Sequence, residues 1–391
     1  MNILFFKEVI HPEKGGIGKV TCSLANGFRA KGHNVYFLIA RDLGYKLENC
    51  TQIPSGNFSD TPANKDFLLE FLRSKKIDIL INQDALYTEH SKLVFHAKSI
   101  ETLKLISCLH MSLFGAIKNL RYTKGASLLT RFKLSFFAPL ISSLFDFKLL
   151  KNFLLYIYKN KSKKHFTNLV KNSDALIVLS EKLKYEIIDI VKMNPANLFA
   201  IPNPISFEVQ NVDLNLKEKK LLWVGRADSG KRLDLFIKIF GKIHQDFPDW
   251  TVDILGDGSG IIPAKEYVKK HNIKNVFFRG YMESSKFFER ASIFCFTSAD
   301  EAFGMVLLEA SVFACVPIAF DSYPVITDII DDKNNGILVK AFDCNLYAKE
   351  LSHLMKDENY RKNIALNARN SVSYFSLDNI TKRWLDLFES L

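Results

Sequence analysis

The sequence predicts an α/β protein made of two doubly wound, parallel-sheet domains, and three observations carry that expectation. Strand-like apolar runs alternate with stretches of helical periodicity along most of the chain, the pattern that winds a parallel sheet. Glycine-bearing loops close several of those runs, at Gly15-Gly16-Ile17-Gly18, Gly225-Arg226, Gly256-Asp257-Gly258 and Gly280, where such sheets meet their ligands. At 391 residues the chain exceeds one ordinary core and fits two domains of about 150 to 200 residues.

Composition agrees. With 48% hydrophobic and 24% charged residues, there is enough apolar side chain for two cores. The six cysteines (Cys22, Cys50, Cys108, Cys295, Cys315 and Cys344) form no Cys-x-x-Cys pair and have mostly apolar neighbours. That usage reads as reduced thiols. The opening run Ile3-Leu4-Phe5-Phe6 is cut off by Lys7 and Glu8, which is no signal-peptide core. No apolar run reaches about 18 residues, so no spanning helix is expected, and the expected location is cytoplasmic.

The formal charge of +11 is concentrated in one segment: residues 113–168 hold eleven lysines and arginines against Asp146 alone. The same segment contains the apolar stretch from Phe136 to Tyr158. Such a helix can lie in an anionic membrane interface with its lysines reaching headgroups, or pack on a sheet and leave a solvated basic face. No nucleic-acid reader motif accompanies the charge, so nucleic acid is not expected as a partner.

In chain order, a strand at Asn2–Phe6 leads through the glycine loop to helical periodicity from Val20 to Ala30 and a second strand at Asn34–Ala40. Gly16 and Gly18 allow close backbone approach to a ligand. As a dinucleotide fingerprint, with Asp42 in place for a ribose, the loop is incomplete because Thr21 stands where a third glycine belongs. Strands follow at Asp78–Asn82 and Lys104–His110, with helical patterns at Asp66–Lys75 and Thr88–Lys98 between. His110 ends its strand at the ligand-binding edge, either hydrogen-bonding a ligand hydroxyl without ionising or simply satisfied there. After the basic segment come a strand at Ser173–Ser180, a helix at Glu181–Val191, the segment Ile201-Pro202-Asn203, and a polar linker at Gln210–Lys220.

The second half opens with Leu221–Arg226, a strand ending in Gly225 and Arg226, followed by Lys231. Those two cations supply fixed positive charge where a leaving diphosphate would develop negative charge. Strands are expected at Trp250–Gly258, Asn275–Gly280, Ile293–Ser298, Val316–Asp321 and Asn335–Val339, and helices at Asn345–Met355 and Glu358–Ser371. Ser376 caps a closing helix with apolar spacing at Leu377, Ile380, Trp384, Leu387 and Phe388. The most informative stretch is Thr297–Ser311. It leaves a strand, passes an acidic loop and enters a helix near Phe303 to Met305, framed by Glu301 and Glu309. A helix start takes a diphosphate, and a carboxylate accepts hydrogen bonds from paired sugar hydroxyls.

The Glu301-x7-Glu309 pattern, Ala310, the Val316-Pro-Ile-Ala segment, Ile201-Pro202-Asn203 and the Arg226/Lys231 spacing together resemble the retaining glycosyltransferases of family 4. The resemblance implies the GT-B architecture, two Rossmann-like domains facing across a cleft. It implies an acceptor-binding domain over residues 1–210, a nucleotide-sugar domain over 211–374, and a closing helix over 375–391 that returns to the first domain. It also implies catalytic roles for Glu301, His110, Arg226 and Lys231. Donor contacts would come from Gly16, Gly18 and Gly225, from Tyr281 through its backbone, and from Phe303, Gly304, Met305, Val306 and Glu309 around the helix start.

The implied reaction moves a sugar from a nucleotide diphosphate, UDP by expectation, to a hydroxyl of a saccharide acceptor that is lipid-linked, in cell-envelope polysaccharide or glycan biosynthesis. Retention would follow a same-face route, with Glu301 holding sugar hydroxyls rather than attacking. No Asp-x-Asp sequence occurs, so no metal or other cofactor is expected. Rival readings are a nucleotide-sugar 2-epimerase of the same architecture, a dehydrogenase, and a binding subunit without turnover.

Overall fold

The computed structural model describes residues 1–11, 15–119, 148–205, 207 and 212–391. Two compact units divide the chain. One comprises Met1–Met111, Tyr156–Ser206 and Phe375–Leu391, the other Ser112–Leu155 and Phe207–Tyr374. Lys14, Gln210 and residues 120–147, with Arg121, Lys124, Arg131, Lys133, Asp146 and the apolar run from Phe136 to Phe147, lie outside the described residues.

The first unit contains β1 (Asn2–Lys7), α1 (Gly16–Ala30), β2 (Asn34–Ile39), β3 (Cys50–Gln52), α2 (Pro62–Lys75), β4 (Ile79–Asn82), α3 (Thr88–Ile100) and β5 (Lys104–Leu109). After the helix α4 (Lys148–Asn172) come β6 (Ala175–Val178), α5 (Glu181–Val191) and β7 (Leu198–Ala200). Among the described residues the strands form one parallel sheet in the order β3-β2-β1-β4-β5-β6-β7. The order reverses between β1 and β4, so the loops after those strands diverge and open a crevice at the sheet's C-terminal edge.

Two helices begin earlier than apolar periodicity suggests. α1 starts at Gly16 instead of Val20, because its first turn is glycine-rich and Ile17 alone sets no apolar period. α2 starts at Pro62 instead of Asp66, with Thr61 accepting from the Asn64 amide and proline at the first helical position. The edge strand β3 has no sequence signature.

The chain's last helix, α12 (Leu377–Ser390), belongs to this unit. Ser376 caps it by accepting from the Asn379 amide. Its apolar face covers α1: the Phe28 ring lies 6.3 Å from Trp384 and 5.3 Å from Phe388, centroid to centroid. Gly27 permits that approach, since a Cβ there would overlap the Thr381 hydroxyl. Burying Trp384 and Phe388 contributes about 2–3 kcal/mol each by area, which outweighs the exposed Lys31–Asp378 ion pair at the helix start.

The second unit holds β8 (Glu218–Val224), α6 (Leu233–Ile243), β9 (Thr251–Leu255), α7 (Ile261–Lys270), β10 (Val276–Gly280), α8 (Ser285–Arg290) and β11 (Ala291–Phe296). It continues with α9 (Met305–Val312), β12 (Val316–Asp321), β13 (Ile337–Lys340), α10 (Cys344–Lys356) and α11 (Glu358–Ser371). The expected polar linker is shorter than Gln210–Lys220, because Glu218, Lys219 and Lys220 already pair in β8, where Lys220 aligns with Thr251. Its sheet runs β10-β9-β8-β11-β12-β13, all parallel, with the reversal between β8 and β11. β11 is buried along its whole length, as a central strand covered on both faces must be. Among the described residues no helix is long and apolar enough to cross a membrane.

Candidate active site

In the second unit the loops leaving β8 and β11 diverge at the point of reversal, and each delivers one charged side chain to it. Lys231 Nζ donates to Glu301 Oε1 there, with the two side chains 25% and 15% exposed. The loops are held by short-range hydrogen bonding. Asp228 Oδ1 accepts from the Gly230 and Lys231 amides at 2.9 and 3.1 Å, turning the chain after β8. The Ala299 amide donates to Gly230 O at 2.8 Å. Thr297 Oγ1 donates toward Lys231 O and Arg232 O at 3.1 and 3.0 Å, and accepts from the Trp223 indole at 3.2 Å. The lysine and glutamate therefore meet because their backbones are laced together at Gly230, one residue before Lys231, and at Ala299, two residues before Glu301.

Arg226 behaves differently. Its guanidinium grips Asp228 Oδ2 through Nε at 2.8 Å and Nη2 at 2.7 Å, and its side chain is 81% exposed. The structure thus brings Lys231 and Glu301 together and holds Arg226 on the same turn, facing solvent. Asp228 is a functional residue beyond those expected from the sequence, and its signal there is an Asp two residues before a glycine, which marks a turn.

The start of α9 lies four residues beyond Glu301. Gly304 caps it with φ 94°, and a Cβ there would overlap the Tyr323 hydroxyl, so both geometry and space call for glycine. Tyr323 Oη donates to Phe303 O at 3.4 Å. Burial drives the Tyr323 phenol well above its ordinary pKa, and the carboxylates of Glu301 and Asp300 add to it. The phenol therefore stays a neutral donor. Phe303 is buried, Met305 and Val306 are half-buried in the first turn, and Glu309 is a buried residue of the second.

The neighbouring glycine turns are tied to the same edge. Gly225 N donates to Leu255 O at 3.0 Å, and Gly256 N to Gly280 O at 2.7 Å. Gly256 has φ 121°, and a Cβ there would overlap Gly225 O. Tyr281, next in line, projects a side chain that is 72% exposed.

The first unit has its own polar cluster at its point of reversal. Lys7, ending β1, pairs with Asp84 Oδ1 at 2.9 Å, while Asp84 Oδ2 accepts from the Glu8 amide at 2.5 Å and stands 3.6 Å from His90 Nδ1. Burial works to raise the Asp84 pKa, but His90, the Lys7 charge and the Glu8 amide outweigh it and hold the carboxyl at about 2. His110, the residue after β5, engages Gln83 Oε1 through Nε2. Burial and then the Lys7 charge push its pKa down to about 4, against the opposing pull of Asp84. The imidazole is therefore neutral at pH 7. Gly16 and Gly18 occupy the first turn of α1, and Gly18 leaves no room for a Cβ beside His11 O. Gln83, Asp84 and His90 carry no motif, and it is the sheet order that brings this one stretch after β4 beside Lys7 and His110.

Two parallel sheets, each with a polar cluster at its point of reversal, define a protein of the GT-B fold class. A solved structure of Anabaena HepE in complex with UDP and glucose superimposes with a TM-score of 0.73 over the whole of both chains, at 15% identity. That likeness speaks for the fold. The Glycosyltransferase Family 4 model matches residues 14–209 and the Glycosyl transferases group 1 model residues 205–371. The chain belongs to glycosyltransferase family 4.

Among curated relatives, it is 32% identical over 218 residues to the GalNAc-alpha-(1->4)-GalNAc-alpha-(1->3)-diNAcBac-PP-undecaprenol alpha-1,4-N-acetyl-D-galactosaminyltransferase of Campylobacter jejuni, across 55% of this chain and 59% of that one. The chain thus spans about three fifths of that relative's length. It is 26% identical over 299 residues to the amylovoran biosynthesis glycosyltransferase AmsD of Erwinia amylovora, across 71% of this chain and 82% of the relative.

Proposed function

We propose that this protein transfers a sugar from a UDP-sugar to a hydroxyl of a lipid-linked saccharide during assembly of a cell-envelope polysaccharide or glycan, with retention at the anomeric carbon. The observation that carries the reading is the Lys231–Glu301 pair at the β8/β11 reversal, three residues before Gly304 caps α9. In the donor complex the Lys231 ammonium turns to the diphosphate, and Glu301 is released to accept hydrogen bonds from sugar hydroxyls. Arg226, exposed on its turn, swings from Asp228 to the same diphosphate. The N-terminal end of α9 adds partial positive charge.

These groups neutralise the leaving diphosphate, so the proposed chemistry is metal-independent and uses no other cofactor. The acceptor oxygen forms its bond to the anomeric carbon on the face from which the diphosphate departs. A departing phosphate oxygen takes the hydroxyl proton, and His110 hydrogen-bonds the transferred sugar as a neutral imidazole.

The relatives' names support the acceptor and donor classes. The Campylobacter enzyme is named for an undecaprenol-diphosphate saccharide, and HepE was solved with UDP and glucose. The basic stretch 113–168 supports a peripheral position at the cytoplasmic membrane face, where its lysines meet anionic lipid.

A thermal-shift screen with UDP-, GDP- and ADP-sugars tests the donor assignment. UDP-sugars are expected to raise Tm, by about 2.7 kcal/mol of stabilisation at a hundredfold excess over Kd. A shift with GDP- or ADP-sugars alone overturns the UDP assignment, and none with any donor overturns the reading. Conversion of the donor without acceptor, to its C2 epimer, would favour an epimerase instead.

A further inference from the structure

Directly after the first sheet's fifth strand, residues 112–119 cluster with the second unit, and there they touch the loop that carries Glu301. A short helical turn, Gly115–Lys118, is started by Ser112, whose hydroxyl accepts from the Gly115 amide at 2.9 Å. Asn119 follows, its own amide donating to Gly115 O at 3.0 Å. Its side-chain NH2 spends both hydrogens on backbone carbonyls, Ala299 O at 2.5 Å and Ser322 O at 2.6 Å. Because both partners are carbonyl oxygens, the amide orientation is fixed: only the NH2 end can face them.

Each of those peptides is a junction. Ala299 donates its own N–H to Gly230 O, next to Lys231. The Ser322 hydroxyl donates to Ser298 O at 2.7 Å, and Tyr323 beside it reaches Phe303 O. One side-chain amide therefore ties the loop after β11 to the loop after β12, and through Ala299 to the loop after β8. Gly115 sits hard against the same loop, since a Cβ there would overlap the Asp300 carboxylate.

We propose that Asn119 is a positioning residue for Glu301. It holds the Thr297–Gly304 loop so that the Glu301 carboxylate is presented to the sugar of a nucleotide-sugar donor, and Gly115 provides the close approach that this requires. The assignment rests on the transferase reading for the role of Glu301. The bracing of the loop is measurable without substrate.

Asn119→Ala, Asn119→Ser, Asn119→Asp and Gly115→Ala are compared with the parent by amide hydrogen exchange on the free protein and by steady-state transfer from a UDP-sugar. The Ala299 amide is expected to exchange about tenfold faster in Asn119→Ala. It should exchange faster still in Asn119→Asp, where a carboxylate faces two carbonyl oxygens, and Asn119→Ser, which keeps one donor, should recover part of the protection. Gly115→Ala should loosen the same amide. In turnover, kcat should fall about tenfold in Asn119→Ala while donor KM changes less, because a displaced carboxylate costs alignment more than binding.

When Glu301→Gln is already present, the further loss from Asn119→Ala should shrink below about twofold. Unchanged Ala299 exchange overturns the bracing. Losses that multiply fully in the Asn119→Ala/Glu301→Gln pair overturn the action through Glu301. If neither parent nor variants transfer sugar from any UDP-sugar, the transferase reading fails, and the exchange result still decides what Asn119 holds.

Discussion

Replacing Lys231 by methionine removes the cation from the β8/β11 reversal while keeping its aliphatic length, and it should separate two effects. The ion pair with Glu301 is a quarter exposed on one side and 15% exposed on the other. Its contribution therefore lies between an exposed pair, about 0–1 kcal/mol, and a fully buried one, whose breakage costs about 3–5 kcal/mol. A loss of about 1–2 kcal/mol follows for Lys231→Met, read as a Tm lower by a few degrees. Lys231→Met/Glu301→Gln should regain about 1 kcal/mol of it, since no unpaired carboxylate remains.

Turnover should not be regained. Removing one fixed charge from a developing anion costs about 10²–10³ in kcat, and the double variant lacks both groups. Arg226→Ala should cost less, about tenfold, because an exposed guanidinium acts through a high dielectric. Urea or thermal melts give the stability cycle, and initial rates of UDP release and glycoside formation give the kinetic one. Wild-type kcat in Lys231→Met would falsify the diphosphate assignment. Stability losses that simply add would show that the pair contributes no coupling.

The remaining predictions concern pH, backbone and surface. His110 has a folded pKa of about 4 against about 6.5 unfolded, so the unfolded chain binds more protons between those values. The stability this contributes is fully present above pH 6.5 and is lost as pH falls toward 4, on the order of 1–3 kcal/mol. His110→Asn should flatten urea-melt stability across that window and leave the acid limb of Asp84, whose pKa is about 2, between pH 3.8 and 2. Gly256→Ala and Gly304→Ala should each lower stability by about 1–3 kcal/mol, since each adds strain at positive φ and an overlap with Gly225 O or the Tyr323 hydroxyl; melts within error of the parent would contradict this. On α4, Phe153 and Tyr156 are 58% and 65% exposed beside lysines and no acidic residue. Phe153→Ser/Tyr156→Ser should weaken sedimentation with anionic vesicles at low salt severalfold without changing donor hydrolysis, and parent protein that ignores such vesicles removes the membrane assignment.

Much of the framework was legible beforehand. The helix Glu181–Val191 and the capped helix after Ser376 follow from apolar spacing and a serine cap, both coded within a few residues. The glycine turns at Gly256 and Gly304 stand out because few other residues tolerate those angles. The start of α1 and the edge strand β3 are not legible in the sequence, since glycine carries no periodicity and a three-residue strand has too few side chains to show a pattern.

By itself, then, the sequence determined the alternation of strand and helix, the caps, and which residue types stand at strand ends. Tertiary structure decided which of them meet. Lys231 and Glu301 lie 70 residues apart and touch because β8 and β11 are neighbours in the sheet, while Arg226, five residues from Lys231, turns to Asp228 instead. Lys7, Asp84 and His110 form one cluster through the pairing of β1 with β4 and of β4 with β5. Local conformation is written in spacing that neighbouring residues can read. Strand order is set by hydrogen-bond ladders and buried faces contributed by distant segments, and it is that order which places charge beside charge.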